Sequence, residues 1–241
     1  MVMKRYGTND SGFMVAAAEE EKAQAAEERR REHAAKLTGV HTTKPIEDRA
    51  MVNKWIAIAK DHDEKRNRGG VSWYMLLLLG FSTGLRIGDL CSLRVKDVWN
   101  RERVCIIAEK TGKMTDIYIR DDTRKAIMAA LTDKNGNPPD GNDWALNSRQ
   151  RNRADGKKKP ISRQRCYAIV KEIAEKAGFT EHVGCHTMRK TFAWNLYECT
   201  GRNLAIVQKQ LNHSSQEATI HYLGLDQKVL DNAIKNMPSF V

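Results

Sequence analysis

Residues 185–215 read CHTMRKTFAWNLYECTGRNLAIVQKQLNHSS. Met188, Phe192 and Leu196 recur every four residues, which is the spacing of one buried stripe on a helix over 186–199. A second helix is expected over 203–211. His186 and Arg189 are three residues apart and share a different face from the stripe. They lie at the helix start, where free N–H groups and the positive dipole end favour an anion. On its own the H-x-x-R pair fits a capping histidine and a surface arginine equally well. His213 follows the second helix, where a helix-terminal histidine is also ordinary.

Towards the C-terminus, ATIHYLG carries Tyr222, nine residues after His213. Tyrosine is more often a core or interface residue than a nucleophile. The tail DQKVLDNAIKNM places Val229, Leu230, Ala233, Ile234 and Met237 on one stripe, predicting a helix over 226–236.

Towards the N-terminus, Ser162 caps a helix that runs to Ala177 and stops at Gly178. Residues 133–162 form a long polar stretch with a short strand expected near Trp144; so long a loop is usually functional. Asp121–Leu131 is helical. Two strand-like runs, Val104–Ala108 and Met114–Ile119, are joined by EKTGK, a hairpin loop containing Gly112. Lys110 in that loop can reach an approaching substrate, and Lys113 competes for the role. A short helix over Leu85–Leu93 buries Leu90 and Leu93 and places Arg86 just inside it. Asp89, one turn on, can orient the Arg86 guanidinium, a group suited to a bidentate phosphate clamp, or simply pair with it. Val71–Ser82 is an apolar helix broken by Thr83-Gly84, and Val52, Trp55, Ile56 and Ala59 make one face of an earlier helix. Residues 14–37 favour helix by propensity but lack an apolar stripe. The fold class is α+β, mainly α-helical, with a small antiparallel sheet.

The 241 residues carry a formal net charge of +11, which suggests a polyanionic partner. Residues 1–40 hold seven cations and seven anions, so the excess lies beyond them. Residues 149–165, RQRNRADGKKKPISRQR, concentrate it: Arg149, Arg151, Arg153, Lys157, Lys158, Lys159, Arg163 and Arg165 face only Asp155. They form a candidate phosphate-contacting loop, or a solvated surface loop. The five cysteines show no C-x-x-C pair; neither a disulfide framework nor a zinc site is indicated, and buried thiols in a reducing cytosol are expected. The N-terminus has no apolar signal region, and the apolar run at Tyr74–Leu79 is too short to span a bilayer. No membrane partner and a cytoplasmic location follow as expectations.

Taken together, the boxes resemble the tyrosine recombinase (phage integrase) family. STGLRIGDLCSLRVKDV is similar to its first-arginine box, with Arg86 as the arginine and Asp89 in the usual acidic place. IIAEKTGKMTDIYI resembles the hairpin lysine segment and aligns Lys110 with the lysine. The opening stretch resembles H-x-L-R-H-T-F-A … L-G-H-S, and ATIHYLG resembles the tyrosine box. The resemblance runs from about residue 46 to 225, with five boxes in order. Two departures adjoin the site: Lys190 replaces a common histidine and Asn212 the usual glycine.

The resemblance implies a site-specific recombinase or integrase. Tyr222 would attack a DNA phosphodiester, forming a 3′-phosphotyrosyl link and freeing a 5′-hydroxyl. Arg86, Arg189 and His213 would stabilise the pentacoordinate phosphate, His186 would accept a proton, and Lys110 would donate one to the leaving oxygen. No cofactor, metal or ATP is implied. Residues 45–241 would be the catalytic domain with its C-terminal helix, and 1–44 a polar helical extension and linker. About 45 residues are too few for the core-binding domain of many members, so the chain is expected to be a compact member, like the fimbrial-type invertases, or a piece of a larger one. Expected partners are double-stranded recombination sites, further protomers in a dimer or tetramer exchanging the C-terminal helix in trans, and accessory or directionality factors of a phage or mobile element. A type IB topoisomerase and a non-catalytic DNA-binding regulator are the alternatives.

Overall fold

A computed structural model of the chain describes residues 43–65, 71–133, 135–225, 231 and 234–238. The helix expected over 14–37 lies outside the described residues, as does most of the one expected over 226–236. In chain order the elements are α1 (Arg49–Lys65), α2 (Trp73–Thr83), α3 (Ile87–Ser92), α4 (Val95–Val98), β1 (Arg103–Ile107), β2 (Met114–Tyr118) and α5 (Asp121–Leu131). They continue with β3 (Asn147–Arg151), β4 (Lys158–Pro160), α6 (Arg163–Ala177), α7 (Cys185–Cys199), α8 (Leu204–Leu211) and α9 (Gln216–Leu223).

Helix starts and stops follow local chemistry. Ser72, Ser162, Asn203 and Ser215 cap α2, α6, α8 and α9 by accepting backbone N–H bonds. Gly84, Gly178, Asn212 and Gly224 end the same helices in the left-handed conformation. Two apolar cores result. The larger gathers Trp55 and Ala59 of α1, Trp73, Met75, Leu76, Leu77 and Leu79 of α2, Ile169, Val170 and Ile173 of α6, and Met188 of α7. The smaller joins Ala193, Val207, Leu211 and Leu223, from α7, α8 and α9. Helix α7 belongs to both, so it is the beam between them.

Glycines on α2 let that beam approach. A methyl group on Gly80 would meet the Met188 sulfur at 2.5 Å, and one on Gly84 would collide with the Phe192 ring. Gly84 also has φ +59°, a conformation that L side chains adopt only with strain.

Strands β1 and β2 pair antiparallel from Arg103↔Tyr118 to Ile107↔Met114. Val104, Thr115 and Ile117 turn inward, while Cys105, Asp116 and Tyr118 face solvent. This is the alternation expected of a half-buried hairpin.

The expected small antiparallel sheet is present as β1–β2, and the polar stretch after α5 adds a second two-stranded sheet by folding its basic run into a hairpin, β3–β4. Other expectations need correction. Trp144 itself forms a single bridge to Arg94, with the Arg94 guanidinium stacked 3.1 Å over its ring, and the strand near it, β3, begins at Asn147. Tyr222 lies on a helix, α9, that periodicity over so few residues did not predict. Cys105 and Cys199 are exposed; only Cys91 and Cys166 are fully buried, with Sγ atoms 3.7 Å apart.

Gly84→Ala is expected to destabilise the fold by about 2 kcal/mol or more through the combined strain and collision. Urea unfolding checks this, and a wild-type midpoint would contradict the close α2–α7 packing.

Candidate active site

The site is assembled from five separate segments. Arg86 follows the Gly84 turn and is the N-cap of α3, one position outside the helix that the sequence placed it in. Asp89 is buried at 3% exposure and does not pair with Arg86. Its Oδ1 accepts the Glu109 backbone N–H at 2.9 Å, which fastens the β1–β2 loop to α3. Glu109 is held from its other side by Arg163 at 2.6 Å. Lys110 is the next residue, exposed on that anchored loop, and its charge reaches His186. Lys113, the competing lysine, is exposed at the far end of the same loop.

Arg189 is not a surface guanidinium. It is 5% exposed and donates from Nη1 to the Gly84 carbonyl at 2.6 Å and from Nη2 to the Leu211 carbonyl at 2.8 Å. Both acceptors are at helix ends, where carbonyls lack intrahelical partners. One side chain therefore ties the Arg86 turn to the His213 turn.

His213 follows Asn212, which takes φ +54° at the end of α8. Asparagine tolerates that conformation better than most residues. Its Nδ2 also donates to the Met114 carbonyl at 3.2 Å and to Thr115 Oγ1 at 3.1 Å, docking α8 onto β2. The departure from glycine is thus compensated by contacts to the hairpin. The His213 ring is fixed by Nδ1 contacting Thr219 Oγ1 at 3.0 Å. Thr219 is fully buried, and the sequence reading did not single it out. Its place on the α9 face next to Tyr222, three residues on, could have been found only once α9 was recognised.

Tyr222 ends this chain of supports. Its ring stands edge-on to His213, with centroids 5.1 Å apart, and to His186 at 6.5 Å. Lys190 Nζ lies 5.2 Å from the ring centroid. The Tyr222 hydroxyl is buried beside the Arg189 guanidinium, in loose contact with it but without a well-aligned hydrogen bond among the described residues. Burial pushes its pKa up to about 12, although Arg189 and Arg86 pull it down. Burial, with the charges of Arg189 and Arg86, pushes His213 down to about 4. His186, exposed in part but with its ring crowded by its neighbours, is lowered too, first by lost hydration and then by the charges of Arg189, Lys190, Arg86 and Lys110. Arg86, Lys110, His186, Arg189, His213 and Tyr222 therefore share one electrostatic neighbourhood.

That neighbourhood concentrates fixed positive charge around a neutral phenol and two neutral imidazoles. It is built for an anion: a phosphate entering among Arg86, Arg189 and His213 would favour protonated histidine and lower the cost of phenolate. Among the described residues no group of His, Cys, Asp or Glu is arranged to hold a metal ion.

The eight cations of the basic segment are all exposed on and around β3–β4. Arg151 donates to the Gly156 carbonyl within its own hairpin, and Arg163 is bound to Glu109.

The phage integrase family pattern matches residues 48–228, and the chain belongs to that family. It is 34% identical to the probable integrase/recombinase YoeC of Bacillus subtilis over 67% of this chain and 82% of that protein. It is 31% identical to the tyrosine recombinase XerD of Corynebacterium glutamicum over 61% of this chain, spanning only 46% of that relative. The fold is similar to the crystal structure of XerA recombinase, with TM-score 0.61 and 21% identity, covering 85% of this chain and 69% of that one. It is also similar to XerH site-specific recombinase bound to its difH substrate in a post-cleavage complex, with TM-score 0.56 and 19% identity, covering 80% and 53%.

Two predictions follow from the burial and charge of the site. Arg189→Lys keeps a charge but loses the fork between two helix ends, and is expected to cost about 1.5–3 kcal/mol of stability. Arg86→Lys, at a half-buried cap without such bonds, should stay within about 1 kcal/mol; equal losses in denaturant titrations would contradict the bracing role. Secondly, His213 binds a proton near its ordinary value when unfolded but only near 4 when folded. The unfolded state thus binds more protons between those values, and stability falls as pH falls through that window. His213→Asn should flatten the fall in unfolding free energy between about pH 6.5 and 4; an unchanged slope would contradict it.

Proposed function

We propose that residues 45–241 are the catalytic domain of a site-specific DNA recombinase that cuts and rejoins strands through a 3′-phosphotyrosyl intermediate, with residues 1–44 an extension to it. The observation that carries this reading is the convergence of Tyr222 with Arg86, Lys110, His186, Arg189 and His213 in one electrostatic neighbourhood, from five separate segments. Similarity to proteins named integrase/recombinase and tyrosine recombinase supports the same class of enzyme.

Each side chain then has a chemical task. Arg86, Arg189 and His213 surround the scissile phosphate and stabilise the negative charge of its five-coordinate state. The phosphate in turn draws a proton onto His213, turning the imidazole into a donor. Tyr222 Oη attacks phosphorus while His186, kept neutral, accepts the phenolic proton. The bond from phosphorus to the 5′-oxygen breaks, and Lys110 on its anchored loop delivers a proton to that oxygen. The phosphotyrosine retains the energy of the broken ester, so a 5′-hydroxyl from another strand can reverse the step and join new DNA.

The partners follow from the chemistry. The substrate is double-stranded DNA at recombination sites, and the exposed cations of Arg149, Arg153, Lys157, Lys158, Lys159 and Arg165 contact its phosphates, with Arg151 and Arg163 shaping that segment. Phosphate contacts of this kind make binding steeply salt-dependent. Strand exchange needs a second site, so the active form is a dimer or tetramer on DNA. Exposed Ile234 and Met237 belong to the C-terminal stripe, whose trans docking would link protomers. Accessory or directionality factors and action in the cytoplasm on a phage or other mobile element complete the proposal.

The test is a suicide substrate: a nicked duplex carrying the host element's recombination site, mixed with protein and chelator and run on a denaturing gel. Wild type is expected to give a covalent protein–DNA band that Tyr222→Phe abolishes while still binding DNA. A band that persists in Tyr222→Phe, or none at a site that the wild-type protein binds tightly, would refute the reading. The second outcome would favour a DNA-binding regulator.

A further inference from the structure

One cation in the pocket has no task in this mechanism. Lys190 follows Arg189 on α7 and lies one helical turn beyond His186, so the two share a helix face. From there its ammonium reaches across to α9 and sits 5.2 Å from the centroid of the Tyr222 ring. The ring is thus bounded by three groups: His213 edge-on at 5.1 Å, His186 edge-on at 6.5 Å and Lys190 over it. Lys190 is half-buried, and no carboxylate lies within ion-pair distance among the described residues. Its charge therefore acts mainly on its two aromatic neighbours.

These contacts have distinct consequences. An ammonium over an aromatic face is attracted to it, which restrains a ring whose hydroxyl makes only a loose contact with Arg189 and no well-aligned hydrogen bond. A fixed cation one turn from an imidazole disfavours the imidazolium. We propose that Lys190 is a positioning residue for strand cleavage, seating the nucleophilic Tyr222 ring and keeping His186 proton-free and ready to accept. The inference rests on the recombinase reading for the roles of those two residues.

The charged groups facing His186 are Arg86 from the α2–α3 turn, Lys110 from the β1–β2 loop, and Arg189 and Lys190 from its own helix. The charges that bear on His213 are those of Arg189 and Arg86, and the neutral Tyr222 ring stands edge-on to it. His213 is therefore an internal control for the loss of Lys190. Tyr222 is influenced by Arg189 and Arg86, so Lys190 acts on it by holding the ring, with the proton balance governed through His186.

The experiment titrates the imidazole resonances of the full chain by NMR in wild type, Lys190→Met and Lys190→Arg. Lys190→Met should raise the His186 midpoint by about half a unit or more and leave that of His213 in place. Lys190→Arg should keep both at wild-type values. In the nicked-duplex assay at saturating DNA, Lys190→Met should slow adduct formation about three- to tenfold and move its acidic limb to higher pH, with Lys190→Arg restoring both. An unmoved His186 midpoint, an unmoved acidic limb, or an arginine variant as impaired as the methionine one overturns the proposal. Should methionine unsettle the fold, Lys190→Gln is judged by the same criteria. A wild-type chain that forms no adduct refutes the recombinase reading, whereas the NMR midpoints decide the hold of Lys190 on His186 in either case.

Discussion

The buried guanidinium of Arg189 carries a double duty on which the rest of the site depends. Its two N–H bonds end on the Gly84 and Leu211 carbonyls, the last unsatisfied groups of α2 and α8. Those helix ends launch the Arg86 and His213 turns. A side chain that would otherwise be costly to bury is stabilised there by carbonyls that themselves need donors. The same charge faces Tyr222, which it draws towards phenolate against the effect of burial. Structure and chemistry thus share one group, and neither can be altered alone.

The wider fold serves that arrangement. Helix α7 can carry Arg189 up to the end of α2 only because Gly80 and Gly84 leave room for Met188 and Phe192. Asp89 fixes the lysine loop through one backbone bond, and Asn212 docks the end of α8 on the neighbouring strand. The hairpin that carries Lys110 is therefore anchored at both its loop and its edge. Preorganisation of this kind means that little rearrangement is required when charge develops on a bound phosphate.

Much of this was legible in the sequence. The stripe of Met188, Phe192 and Leu196 announced α7, and the cap at Ser162 and the break at Gly84 marked helix limits that the structure keeps. The resemblance of five ordered boxes singled out the six residues that the fold gathers. What escaped was non-local. Asp89 was read as an Arg86 partner because the two are near in sequence, but its acceptor goes to a backbone N–H twenty residues away. Helix α9 spans only two turns, too short for periodicity to declare it, so Thr219 went unnoticed. The β3–β4 hairpin was hidden by its charge, since alternation of apolar and polar residues marks a strand only when one face is buried. Lys190 read as a departure from a family pattern; its nearness to Tyr222 depends on how α7 and α9 pack.

The central claim is that Tyr222 is the atom-donating nucleophile of a pocket organised by Arg189. Peptide mass spectrometry of protein trapped on a nicked recombination site measures this most directly. The expected result is a nucleotide joined through its 3′-phosphate to Tyr222, and no such adduct in Arg189→Lys. A nucleotide attached to another residue, or joined through its 5′-phosphate, would contradict it.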